Sequence, residues 1–339
     1  MSETPPDEAR PGSEAFDKRE DRLPPSPPPH SPTIIEKIFI GPNGIRAGWR
    51  LLIFVVLLLC LIPVARFVGH LLTEGRPPSS PAELSADPIN LVLGALIFLL
   101  VVAATFFMSK IEGRPMRAYG IPARGAFGRN FWVGALAGFL ALTVLMLTIC
   151  ALGDFRFGGI ALTAPDIARY GALWGISFLF TGFFEEYLFR GYPLFTLSTG
   201  IGFWPAAILL SLFFAFAHSS NTNENFLGLI EIVPIALFFC LTLRRTGSLW
   251  FAIGYHAAWD WGESFFYGIP DSGAMAKGHL LNGSLNGPTW ITGGSAGPEG
   301  SMLLLPLMVL VFWLFHLAYR KSNYPDPELV RRSRWRLSH

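Results

Sequence analysis

Apolar residues run almost unbroken at about 50–72, 89–108, 131–152, 171–190, 203–218, 226–243, 248–262 and 301–319. A hydrocarbon core of about 30 Å is crossed by ~20 helical residues. The pattern therefore predicts an all-α, polytopic membrane protein with about eight transmembrane helices. The polar segments between the runs alternate in charge. One carries Lys110, Arg114, Arg117, Arg124 and Arg129; another Arg244 and Arg245; the last Arg320, Lys321, Arg331, Arg332, Arg334 and Arg336. The alternate segments are poor in cations: 73–88 holds Arg76, 263–300 holds Lys277, and 219–225 holds neither Lys nor Arg. Cytoplasmic loops are enriched in Lys and Arg, so both termini are expected in the cytoplasm of a multi-pass protein of the cell (inner) membrane.

Composition agrees, with 51% hydrophobic and 15% charged residues, outside the range of soluble domains. The net charge of +2 is spread among loops and forms no single face. The expected environment is the lipid bilayer, and no nucleic-acid partner is expected. Residues 1–33, with "RLPPSPPPHSP", are read as a disordered cytoplasmic tail, because that composition buries too little apolar surface to offset ordering entropy. The tail is too long and too acidic for the n-region of a signal peptide, so the first run is expected to remain as a helix. The membrane domain is drawn at 46–320 and a basic cytoplasmic tail at 321–339. Within the domain, 263–300 is rich in Gly, Ser and Asn and is read as a long extracytoplasmic loop, surface filler in preference to a lid. Cys60, Cys150 and Cys240 fall in separate spans without paired ligand spacing and are read as apolar filler.

Ionisable groups at membrane depth are costly and mark functional sites. "TGFFEEYLFRG" places Glu185, Glu186 and Arg190 in one run; His218 ends the next; "GYHAAWDWGE" carries His256 and Asp260. Glu186 and Arg190, four apart, share a helix face in the favourable acid-first order, while Glu185 points about 100° away and is left free. His256 and Asp260 also share a face. At ~1.5 Å per residue, these groups fall within a turn or two of one depth if the helix bearing Glu185 continues to about Phe195 and the helix bearing His218 starts somewhat earlier than Phe203. Carboxylates and imidazoles converging in an apolar cavity suit activation of water: Glu as general base, His as partner or metal ligand, His and Asp as ligands or oxyanion stabilisers. The implied reaction is hydrolysis. H-E-x-x-H is absent from the sequence. A bis-histidine haem protein and a proton-coupled transporter are the rival classes; the first has no need of the Glu-Glu-Arg cluster, and the second is expected to show inverted repeats.

E-E-x-x-x-R (Glu185, Glu186, Arg190), F-x-x-x-H (Phe214, His218) and H-x-x-x-N/D (His256, Asp260), in this order on successive membrane runs, resemble the CPBP family. That family comprises CAAX-processing endoproteases, including the Ras-converting group, and bacteriocin-processing or abortive-infection proteins. The resemblance covers about 171–262, taken as the catalytic core, with "GRPMRAYGI" similar to the basic segment before it. It implies an intramembrane (metallo)endopeptidase acting on a peptide or membrane-protein substrate. Its likeness to bacterial members argues against prenylated CAAX peptides. By resemblance, Glu185 and His218 activate water, and His256 with Asp260 stabilises the oxyanion or completes a metal site. Glu186 and Arg190 support them as an ion pair, and Phe214 accompanies His218. The expected ligand set is Glu185, His218, His256 and Asp260, with zinc as the expected metal. Asp260 stands where the CAAX endoproteases commonly have Asn, and an ionised Asp donates no hydrogen bond, which shifts its reading toward metal. A catalytically inactive member serving as an immunity or scaffold protein is the alternative within the family. The reactive centre is expected to be reached from the cytoplasmic side or from the lipid.

Overall fold

The computed structural model describes residues 33–41, 44–72, 83–84, 88–221 and 223–324. The tail expected over 1–33, apart from its last residue, and positions 325–339 of the expected basic tail lie outside the described residues. In chain order the helices are α1 (Ile34–Phe39), α2 (Ala47–Leu72), α3 (Pro88–Glu112), α4 (Arg129–Ala151), α5 (Ala164–Arg190), α6 (Tyr192–Ile201), α7 (Phe203–His218), α8 (Phe226–Thr246), α9 (Trp250–Trp261), α10 (Thr289–Thr292) and α11 (Leu304–Ala318). The protein is all-α and polytopic, and every apolar run of the sequence is helical. By length and composition, 5 helical stretches are able to cross a membrane: α2, α3, α4, the α5–α6 stretch and α8. The remaining runs form shorter helices, α7 with 16 residues, α9 with 12 and α11 with 15. A helix enclosed by protein has no lipid thickness to match, and α9 is nearly all buried.

Local sequence sets the helix ends. α5 starts behind Thr163, whose hydroxyl donates to Asp166 Oδ2 at 2.7 Å, with Pro at the first positions and Asp166 in the positive first turn. It stops at Arg190, earlier than the continuation to Phe195 expected from sequence. Pro193 instead opens the separate helix α6, because proline lacks the N–H that continued winding requires. α8 is capped by Asn225, which accepts from the Gly228 N–H at 2.9 Å. It ends with Arg244 and Arg245 against Gly247, whose φ of 77° turns the chain sharply back into α9.

The buried share of the spanning stretches is lowest in α2, at 6%, and highest in α8, at 50%, so α2 lies at the rim and α8 near the centre. Leu59 and Phe67 of α2, Leu136 and Leu147 of α4, and Val309 of α11 are exposed, as side chains facing acyl chains would be. In the core, α4 and α9 approach one another closely. A Cβ at Gly134 would lie 2.1 Å from the Phe251 carbonyl oxygen, one at Gly138 2.3 Å from that of Tyr255, and one at Gly254 2.2 Å from that of Phe131. Small residues four apart admit this contact, which serves in place of the water-driven association available to soluble helices.

The connecting segments sort to two ends. At the cation-rich end, the Leu249 N–H donates to Gly120 O (2.8 Å), Trp250 Nε1 to Pro122 O (3.1 Å) and the Asn323 N–H to Arg244 O (3.1 Å). Here Glu112, at the end of α3, accepts from Arg50 Nη1 of α2 at 3.0 Å and from the Tyr192 hydroxyl of α6 at 2.5 Å. At the other end, Phe155–Arg156 pairs antiparallel with Ser284–Leu285. Asn223 Nδ2 donates to Gly273 O and Asn225 Nδ2 to Gly293 O, both at 2.9 Å. The 263–300 segment is thus more than surface filler. It begins as a π-helical turn, Gly262–Tyr267, continuing α9, and it buries Ile269, Ala276, Ile291 and Ala296. Its many glycines and serines misrepresent it, because scattered apolar residues anchor it without any periodicity. Gly138→Leu should force α4 from α9 and lower stability by about 1–3 kcal/mol or more, read as a fall in unfolding temperature in detergent; an unchanged temperature would contradict the close approach.

Candidate active site

Three helices bring the polar residues together. α5 supplies Glu185, Glu186 and Arg190, α7 supplies Phe214 and His218, and α9 supplies His256 and Asp260. Glu186 is 0% exposed and Arg190 1%. Arg190 Nη1 donates to Glu186 Oε1 at 3.1 Å, and the guanidinium lies 4.3 Å from the Phe214 ring centroid, a cation–π contact in a desolvated setting. The ion pair expected from spacing is therefore present and buried. It has a further partner, since His256 Nδ1 lies 3.0 Å from the same Glu186 Oε1. The carboxylate only accepts, so Nδ1 carries the proton and Nε2 presents its lone pair. His256 stacks on Phe239 with ring centroids 5.6 Å apart, which fixes its plane.

His218 is held in the same sense, its Nδ1–H donating to the Phe214 carbonyl at 2.8 Å. Both Nε2 atoms turn toward Glu185, with Oε2 3.8 Å from that of His218 and 3.7 Å from that of His256. These separations exceed a hydrogen bond, and Glu185 Oε2 has no hydrogen-bond partner although buried. The same His256 Nε2 lies 3.5 Å from Asp260 Oδ2. All the expected site residues thus meet around one cavity of about 380 Å³, whose lining includes Glu185, Phe214, His218, His256 and Asp260; Glu186 and Arg190 sit behind it.

The cavity wall is completed by Ser220, Asn221, Asp271, Ser272 and Glu299, all from the cation-poor end. Access from the cytoplasmic side or from the lipid is expected from sequence; this lining lies at the cation-poor end and does not describe entry from the cation-rich one. The shift follows from the short α7, which brings His218 to the brink of the 219–225 turn. Asp260, Asp271 and Glu299 each place a carboxylate oxygen within 4.8 Å of the others, forming among the described residues a closer set of oxygen donors than the expected four ligands do. Burial first, and then the charges of Asp260 and Glu299, hold the Asp271 carboxyl well above the ordinary carboxylate range. Buried Glu263 and Glu231 stand nearby with both carboxylate oxygens unpartnered.

Sequence reasoning missed Asp271 and Glu299, which lie in a segment without hydropathic signal. Glu231 did carry a signal, the same one as Glu185: an ionisable group within an apolar run. The Glu186–His256 bond had no signal, because it joins different helices.

The architecture and the cavity define a multi-pass α-helical membrane protein with a Glu/His/Asp site inside its helix bundle. Residues 168–262 match the model of a protease family described as Type II CAAX prenyl endopeptidase Rce1-like. The match supports the resemblance drawn from the three motifs and covers the segment that holds all seven residues named in them. The match supports, at the level of the family alone, a CAAX-type intramembrane endopeptidase. No curated protein matches the chain.

Glu186→Gln keeps the shape but leaves the Arg190 charge without its buried counter-charge. The expected loss of stability is about 3–5 kcal/mol, measured by thermal or denaturant unfolding of the purified protein; full stability would show that the pair is solvated.

Proposed function

We propose that the protein hydrolyses a peptide bond of a membrane-embedded or membrane-bound substrate, with Glu185 as the general base. The observation that carries this reading is the gap between Glu185 Oε2 and the two Nε2 atoms, 3.7 and 3.8 Å. It is too long for direct bonding and suited to one bridging water. Glu185 removes a proton from that water as its oxygen attacks the scissile carbonyl carbon, and delivers the proton to the departing amine. His218, with Nδ1–H tied to a backbone carbonyl, presents Nε2 to the water and orients it. His256, tied through Nδ1–H to Glu186, presents Nε2 beside Glu185 and Asp260, where the tetrahedral centre develops. Peptide and water thus give a carboxylate and an amine without a covalent enzyme intermediate. Given cytoplasmic cation-rich loops, the cavity faces the opposite side of the membrane, so the substrate enters from there or laterally from the lipid.

By type of donor zinc is compatible, although the four donor atoms are not gathered within 4.8 Å of one another as those of the outer carboxylates are. His218 and His256 have free Nε2 atoms and engaged Nδ1 atoms, the arrangement of zinc-binding imidazoles, and Glu185 Oε2 is an orphaned buried oxygen. His218 and His256 would hold the ion, with oxygens from Glu185 and Asp260. When bound there, zinc supplies Lewis-acid polarisation of water and carbonyl.

Glu185→Gln removes the base at constant shape. Peptide cleavage should be abolished while the protein still inserts and accumulates, as seen by comparing membrane-protein C-termini in cells bearing wild type and variant. Normal turnover would sink the assignment. Asp260→Asn separates two roles of that carboxylate. Bound zinc, by mass spectrometry, and cleavage should both fall if it is a ligand; unchanged zinc with retained cleavage would remove Asp260 from the ligand set.

A further inference from the structure

Asp260 joins two different chemistries. Asp260 Oδ2 lies 3.5 Å from His256 Nε2, and one Asp260 oxygen also stands within 4.8 Å of oxygens of Asp271 and Glu299, which lie within 4.8 Å of each other. Asp260 and Asp271 are buried. Asp271 is held by a hydrogen bond from Ser264 Oγ at 3.2 Å, and Glu299 by one from Ser272 Oγ at 2.7 Å, so both carboxylates are fixed in place. An independent observation lies beside them. Glu263, 0% exposed, leaves both carboxylate oxygens without a partner, and the charges it faces are those of Glu299, Asp271 and Asp260. Carboxylates gathered in a low-dielectric interior repel one another strongly. The neighbouring charges acting on Glu263 are all acidic.

We propose that Asp260, Asp271 and Glu299 form a site for a hard divalent cation, Ca²⁺ by preference, which ties the 263–300 segment to the end of α9. The donors are all oxygens, which select hard cations over zinc or copper. A Ca²⁺ ion about 2.4 Å from each oxygen spans donors up to about 4.8 Å apart, and the three oxygens lie within that distance of one another. Glu263 supplies further negative charge at the site. The cation would neutralise the carboxylates and hold Asp271 and Glu299, both cavity-lining residues, in the wall of the cavity. The site is distinct from the imidazole pair and does not rest on the proteolytic reading.

The test uses the full-length protein in detergent after treatment with EDTA. CaCl₂ from micromolar to millimolar should raise the unfolding temperature of the wild type, and the rise should vanish in Asp271→Asn and in Glu299→Gln. A second readout does not depend on unfolding. Tb³⁺, which also takes oxygen donors, should give emission sensitised by Trp259 and Trp174, both of which line the same cavity. Ca²⁺ should displace it from the wild type, and affinity should fall on the order of tenfold or more in either variant. The proposal is overturned if the wild type shows neither a Ca²⁺-dependent rise nor saturable Tb³⁺ emission, or if both variants respond as the wild type does. An unfolding temperature insensitive to Ca²⁺ in the wild type yet raised by Asp271→Asn would also overturn it, assigning the cluster to shared protons. Ca²⁺ does not compete for the nitrogen donors of His218 and His256, so failure here leaves the proteolytic reading standing, and the reverse holds too.

Discussion

A buried carboxylate has to be matched by positive charge or by hydrogen-bond donors, and Glu186 meets that requirement with a single oxygen. Arg190 approaches it from one turn along α5 and His256 from α9. The interaction fixes the rotation of α5 against α9, since neither partner has water as a substitute. It also fixes the imidazole: with Nδ1–H committed to Glu186, the lone pair of Nε2 points into the cavity. Glu185, the next residue on α5, is thereby carried to the other side of the helix wall, where it faces both histidines.

The same requirement explains the packing behind the site. Arg190 extends from the Glu186 carboxylate to the Phe214 ring, and the Phe214 carbonyl in turn receives the His218 proton. One arginine thus links the carboxylate of α5 to the residue that orients the imidazole of α7. On the opposite flank, the close approach of α4 to α9 through Gly134, Gly138 and Gly254 leaves α9 little freedom to slide. His256 and Asp260 therefore sit on a tightly constrained helix, and small residues in the neighbouring helix make that constraint possible.

The cavity is electrostatically two-sided. Imidazoles and Glu185 occupy the part enclosed by α5, α7 and α9. Asp271 and Glu299 occupy the part closed by the segment between α9 and α11. Asp260 belongs to both, a turn along α9 from His256. Any cationic species placed among the outer carboxylates acts on the inner group through this one residue, at distances where charges in a poorly solvated interior are weakly screened.

Hydropathy by itself determined the helices, because a run of apolar residues has no alternative in a bilayer to satisfying its backbone within a helix. Spacing of four along a helix likewise determined the Glu186–Arg190 and His256–Asp260 pairs, since both members lie on one rigid local unit. Charge bias separated the cation-rich segments from the others, and the fold gathers each set at its own end. What tertiary structure alone decided are the relations between units. The bond from His256 to Glu186 depends on the rotation of two helices. The break after Arg190 and the shortness of α7 moved the site toward the cation-poor end. The burial of 263–300, which delivers Asp271 and Glu299 to Asp260, comes from a few separated anchors, Ile269, Ala276 and Ile291 among them. Such anchors leave no period in the sequence, because an irregular segment takes its shape from the surface it covers.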